Sequence, residues 1–97
     1  NPHWEPELRS YNGLEYPVKI YLNKQQDFTD MYQDLTHYLD RWLPKFKGNN
    51  RSYLTIAIGC TGGKHRSVYM AQKLFDHYQS HFENVQVRHR ELQHDTT

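Results

Sequence analysis

The chain has 97 residues, 36% of them hydrophobic and 14% aromatic, with a formal net charge of +1. This is length enough for one domain with one core, and so small a charge excess gives no electrostatic argument for nucleic acid. No apolar run approaches membrane-spanning length and no leader pattern is present, so neither a spanning helix nor an export signal is predicted.

The eight tyrosines offset the low hydrophobic content, because each buries a large ring and keeps a polar tip. The expectation is a folded domain with a thin core, or one that a partner covers further. Cys60 is the single cysteine, which excludes an internal disulfide and points to a reducing compartment, hence the cytoplasm. The lack of an initiating methionine suggests a piece of a longer protein.

Residues Asn1 to Leu14 contain Pro2, Pro6 and Gly13 with Trp4 and Tyr11 between them, a turn-rich lead-in pinned by its aromatics. Pro17 to Asn23 is ambiguous. Alternation of Val18, Ile20 and Leu22 argues strand, Pro17 at a first helical position argues helix, and the balance leans to helix. Phe28, Met31, Tyr32, Leu35, Tyr38, Leu39, Trp42 and Phe46 then recur at three- and four-residue steps, which predicts one helical face. Asp27 is the expected N-cap, Pro44 should end or kink the helix, and Gly48-Asn49-Asn50 should turn the chain.

Tyr53 to Ile58 is almost continuously apolar and reads as a central strand buried on both faces. A second helix is expected from Arg66 to Phe82, with Val68, Ala71, Phe75, Tyr78 and Phe82 inward, and Asn84 turns the chain into an alternating strand from Val85 to Arg90. Strand, helix and strand together predict an α/β fold, a small sheet with one parallel crossover unit. Two strands make a poor sheet, so further strands upstream or across a dimer are expected.

The chemistry concentrates in Gly59-Cys60-Thr61-Gly62-Gly63-Lys64-His65-Arg66-Ser67, at the handover from strand to helix. Gly62 and Gly63 allow close backbone approach, the helix start aims free N–H groups at the same point, and Lys64, His65 and Arg66 add cationic donors. Thr61 and Ser67 add hydroxyls. This combination favours a bound phosphate-type oxyanion, although the spacing is not that of a nucleotide P-loop. The bland alternative is a tight turn with a solvated basic triplet. The sharper alternative is an enzyme: Cys60-x5-Arg66-Ser67 has the spacing of cysteine-dependent phosphatases, in which a thiolate attacks phosphorus while the arginine holds the equatorial oxygens. Gly59 stands where those enzymes usually carry histidine, and no general-acid loop can be picked out, so a non-catalytic anion pocket is preferred.

From Arg51 to Tyr69 the sequence closely resembles the C-terminal domain of the RapZ/YvcJ family of RNase adapter proteins. Asn1-Pro2-His3-Trp4, Asn12-Gly13-Leu14 and the stretch Val85 to Arg90 extend the resemblance over nearly the whole chain. It implies a single C-terminal domain, here residues 1–97, whose family partner is an upstream P-loop ATP/GTP-binding domain. It implies a fold like a phosphofructokinase subdomain and assembly as dimers or tetramers. It further implies binding of glucosamine-6-phosphate and of small regulatory RNA, presentation of that RNA to RNase E, contacts with signalling proteins, and no resident cofactor. Carried over by position, the ligand residues would be Thr61, Gly62, His65 and Arg66 with His3 from the lead-in, and Lys24 as the basic residue standing for an arginine. The family's Lys/Arg-rich tail is replaced here by Gln93-His94-Asp95-Thr96-Thr97.

Arg88, His89 and Arg90, with Arg51, Lys45 and Lys47, are the candidate RNA contacts; a charge-protected edge strand would need the same residues. His77 and His81 have a metal-compatible helical spacing but no evident third ligand, so a polar helix face is preferred and no metal is expected.

Overall fold

A computed structural model describes residues 1–47 and 54–95, with side chains except at positions 3, 47 and 93–95. Every regular element among them is helical. A short 3-10 turn at Pro2–Trp4 precedes α1 (Tyr16–Asn23), α2 (Gln26–Lys47), α3 (Arg66–Tyr78) and α4 (Arg90–Asp95), and a second 3-10 turn, Thr61–Gly63, leads into α3.

The lean to helix at Pro17 is borne out: it sits in the first turn of α1, where its missing N–H removes no intrahelical bond, and Val18 and Leu22 are the most deeply buried side chains of that helix. Asp27 lies inside the first turn of α2 rather than capping it, which still places its charge at the positive end of the dipole. Of the end or kink expected at Pro44, the end does not occur, and α2 continues to Lys47. Trp42 and Phe46 stack at 6.2 Å across the proline, Lys45 Nζ stands 4.6 Å over the Trp42 ring, and Tyr38 packs on Trp42 from the preceding turn. Pro44 has no N–H to give to the helix ladder, and these contacts on one face join the turns on either side of it.

The core lies between α1, α2 and α3. It consists of Val18, Leu22, Phe28, Leu39, Tyr69, Met70, Leu74 and Tyr78, with Tyr21, Tyr32, Leu35, Leu43, Ile58 and Phe82 packed around it. Phe28 and Tyr69 stack with centroids 5.3 Å apart and planes 4° apart, and Lys73 Nζ lies 4.4 Å above the neighbouring Tyr32 ring. Four members of the expected α2 face fall outside it: Met31 and Tyr38 are 54% and 58% exposed, and Trp42 and Phe46 pack on each other away from it. They flank the stripe, and the single layer of α1 and α3 is too narrow to cover it all.

The expected α/β fold is not formed. Leu54 to Ile58 and Val85 to His89 make no strand among the described residues, and Arg90 opens α4 instead of closing a strand. Leu54 and Ile56 are 45% and 47% exposed, and only Ile58 reaches the core. Apolarity alone cannot make a strand; its N–H and C=O groups need a ladder partner, and the two segments do not supply one for each other. The parallel crossover unit and the phosphofructokinase-like sheet fall with them. The Tyr53 end of the expected strand and the Gly48–Asn50 turn lie outside the described residues. The second helix ends at Tyr78, four residues short, but Val68 and Tyr78 are buried, Phe82 packs on the core, and Asn84 turns the chain at a left-handed φ of 59°.

Candidate functional site

The segment expected to hold an anion, Cys60 to Ser67, lies at the N-terminus of α3. Cys60 is extended, Thr61–Gly63 makes one 3-10 turn, and the two glycines take φ values of 80° and 64°. Those left-handed dihedrals are what a non-glycine residue resists, so the pair is needed to reverse the chain directly before the helix. Open space surrounds the position a Cβ would take on Gly62, while Gly63 is covered by the side chain of Glu91.

The loop folds around the Cys60 sulfur. The Ser67 hydroxyl and the Ser67 backbone N–H both lie 3.2 Å from Sγ. Burial alone would raise the thiol's pKa. The Ser67 hydroxyl and the amides of Ser67, Gly63 and His65 outweigh it and hold the thiol below its ordinary value. The electrostatics of a helix start that favours anions are therefore already expressed on a sulfur atom.

The basic triplet is not a solvated run. His65 is 3% exposed and precedes α3, Lys64 is half-buried, and Arg66 is the first residue of the helix. The Arg66 Nε is buried and has no hydrogen-bond partner among the described residues. A buried guanidinium N–H without an acceptor is costly, and an oxyanion supplied from outside would meet it.

Two long-range contacts hold the loop. The Gly13 amide donates to Lys64 O at 2.9 Å, and a Cβ on Gly13 would collide with His65 O, with Tyr69 N at 2.7 Å and with Val68 Cβ at 2.9 Å. Asn12 shapes that turn, its Oδ1 accepting the Leu14 amide at 2.8 Å. On the other flank the Tyr69 hydroxyl donates to Asn23 Oδ1 at 2.9 Å, which ties the end of α1, where Lys24 follows, to the first turn of α3. Sequence reasoning identified Gly13 only as a turn former and did not single out Asn23 or Glu91. Asn12-Gly13 is a turn signal, but nothing local says which carbonyl its amide will meet.

The structure thus brings Cys60, Thr61, Gly62, Gly63, Lys64, His65, Arg66 and Ser67 into one turn, with Lys24 capping the adjacent α1. The backbone of His3 lies in the first 3-10 turn, and its side chain is outside what is described. The RNA candidates are more scattered. Arg88 is exposed on an irregular segment and Arg90 is exposed at the start of α4, so the strand that was to align them does not exist. His89 is half-buried, its Nε2 pairs with Gln72 Oε1 at 2.9 Å, and burial lowers its pKa, so it tethers its segment to α3. Arg51 lies outside the described residues. The rings of His77 and His81 are 5.5 Å apart; His77 meets the Tyr78 ring edge-on at 4.7 Å, and no group of three metal-ligating side chains forms among the described residues. No helix of the described residues is long and apolar enough to cross a membrane.

Residues 1–93 match the family described as the RapZ C-terminal domain. The chain is 58% identical, over 95% of its length, to nucleotide-binding proteins of Pseudomonas putida and Pseudomonas syringae pv. tomato, and 53% identical to one of Cellvibrio japonicus. It covers 32%, 32% and 31% of those relatives, so it spans about a third of their length. On the match over residues 1–93 and these identities, the chain belongs to the RapZ family and corresponds to its C-terminal domain.

Proposed function

We propose that this domain is a non-catalytic sugar-phosphate sensor and RNA adapter of the cytoplasm. Glucosamine-6-phosphate occupies the loop at the start of α3, and a small regulatory RNA is carried on Arg88, Arg90 and Arg51 for presentation to RNase E. The observation that supports the ligand site is the buried Arg66 Nε, a donor without an acceptor among the described residues, on the first residue of the helix that two left-handed glycines lead into. Thr61, Gly62, His65 and Arg66 hold the phosphate, Lys64 and Ser67 support it, and His3 and Lys24 reach it from the lead-in and from α1. His89 acts by positioning, since its ring is engaged with Gln72. Nucleotide binding, named for the relatives, belongs on this reading to the two-thirds of their length that this chain does not cover. Signalling proteins and further copies of the chain, as a dimer or tetramer, are its other partners.

Ligand occupancy changes RNA or protein affinity only as far as the ligand binds the two states differently. Titration of glucosamine-6-phosphate into the wild-type chain and into Arg66→Ala by calorimetry tests the site. Loss of a charge-assisted bidentate contact should weaken binding about 10- to 100-fold. Equal affinities for the two proteins dispose of the site.

A second reading has an observation of its own. The Ser67 hydroxyl and amide on Cys60 Sγ, with the lowered thiol pKa, are what a phosphatase nucleophile needs. The sulfur would form a bond to phosphorus as the ester P–O bond breaks, with water later releasing phosphate. Turnover of an aryl phosphate that Cys60→Ser abolishes would favour this reading over the sensor.

A further inference from the structure

The two loop glycines differ in what surrounds them. Around Gly62 nothing stands within 4 Å of a would-be Cβ, so this side of the turn is open to a ligand. On Gly63 the same position is taken by Glu91: its Cγ would lie 2.6 Å away, its Cβ 3.6 Å and its Cδ 3.7 Å. The methylenes of Glu91 seat in the notch that the missing side chain leaves, and the carboxyl group is carried at the rim of the loop, exposed. The placement is held from behind. Glu91 is in the first turn of α4, the Leu92 amide donates to His89 O at 3.2 Å, and His89 is itself fastened to Gln72 of α3.

A carboxylate beside an anion loop is an electrostatic contradiction unless the ligand has a second, opposite character. Alone it repels a bare phosphate. Toward a phosphate ester whose other end bears an ammonium group or hydroxyls, it is an acceptor already in place. From this geometry we infer that Glu91 is a specificity-determining residue of the site, selecting phosphate esters that carry an ammonium group over inorganic phosphate and over neutral sugar phosphates. The inference rests on the proposed ligand loop and deepens it.

The test uses Glu91→Gln, which keeps the stem in the Gly63 notch and removes only the charge. Affinities of glucosamine-6-phosphate, glucose-6-phosphate and inorganic phosphate are measured by calorimetry for wild type, Glu91→Gln and Arg66→Ala. Because Glu91 is exposed, the effect is that of a solvent-screened charge, about two- to fivefold. Its sign is the diagnostic: Glu91→Gln should weaken the amino sugar phosphate and strengthen inorganic phosphate, which closes the gap between glucosamine-6-phosphate and glucose-6-phosphate. If Arg66→Ala weakens all three ligands but Glu91→Gln moves them in one direction by one factor, the loop stands and the role of Glu91 is overturned. If no ligand binds wild type more tightly than Arg66→Ala, the loop reading itself is lost, and this inference with it.

Discussion

At the C-terminal end of α3 the Tyr78 hydroxyl donates to Asp40 Oδ1 at 2.7 Å and shares its hydrogen with Thr36 O at 3.1 Å, inside the contact between α2 and α3. At the N-terminal end of the same helix, the Ser67 amide donates to Cys60 Sγ, the thiol pairs with the Ser67 hydroxyl, and the Arg66 Nε is buried without an acceptor among the described residues. One end uses its polar groups to hold two helices together, and the other buries one donor, the Arg66 Nε, that no described residue accepts from. A polar group that is satisfied internally contributes stability, whereas one kept unsatisfied costs stability and is found where something is to be bound. The two ends of one 13-residue helix therefore use the same chemistry differently, and the difference is what the proposed site relies on.

The largest expected effect comes from Gly13→Ala, which forces a methyl group into the backbone of His65 and Tyr69. The substitution should cost about 2–3 kcal/mol, with a fall in Tm of roughly 10–20 °C for a domain of this size. Thermal unfolding checks it, and an unchanged Tm would mean that the ligand end of α3 is not fastened through the lead-in. Next is Tyr78→Phe at the other end. Losing a hydrogen bond to a carboxylate should destabilise the domain by about 1–2 kcal/mol, while phosphate-ester affinity stays as in wild type.

A pH dependence sharpens the same contrast. Burial, then the Asp40 hydrogen bond and charge, push the Tyr78 pKa well above its ordinary value. A raised folded-state pKa contributes stability that is complete below the unfolded value of about 10 and is lost as pH rises through the folded value. Alkaline unfolding curves should therefore steepen above about pH 10 in wild type and flatten there in Tyr78→Phe. The smallest effect is at the ligand end. The depressed Cys60 thiol should be alkylated by iodoacetamide at a lower pH than a free cysteine, and Ser67→Ala should move the rate profile back up. An identical profile in the two proteins would remove the argument that donors at this helix start favour an anion.

α2 and α3 were legible because their signal is local: Phe28, Tyr32, Leu35 and Leu39 repeat at the helical period and find cover, whereas the short α4 carries no such stripe. The shape of the loop was legible for the same reason, since its two glycines and the helix start lie within a few residues of one another. The sheet was misread because Leu54 to Ile58 carries the composition of a buried strand, and composition contains no information about whether a neighbour exists to bond it. Pro44 was given too much weight, because the aromatic ladder that spans it depends on side chains four residues apart on either side. The contacts of Gly13 with Lys64 and of Glu91 with Gly63 join distant parts of the chain, and no periodicity or spacing could have announced them.

The bond between the Gly13 amide and the Lys64 carbonyl has a consequence for how fast and how tightly a guest can be received. A turn of glycines left to itself would wander over many conformers, and a visitor would have to wait for the right one or give up part of its own affinity to select it. Here the Gly13 amide clamps the segment beforehand, so on the proposed function the entropy of ordering is surrendered when the chain folds and not on binding.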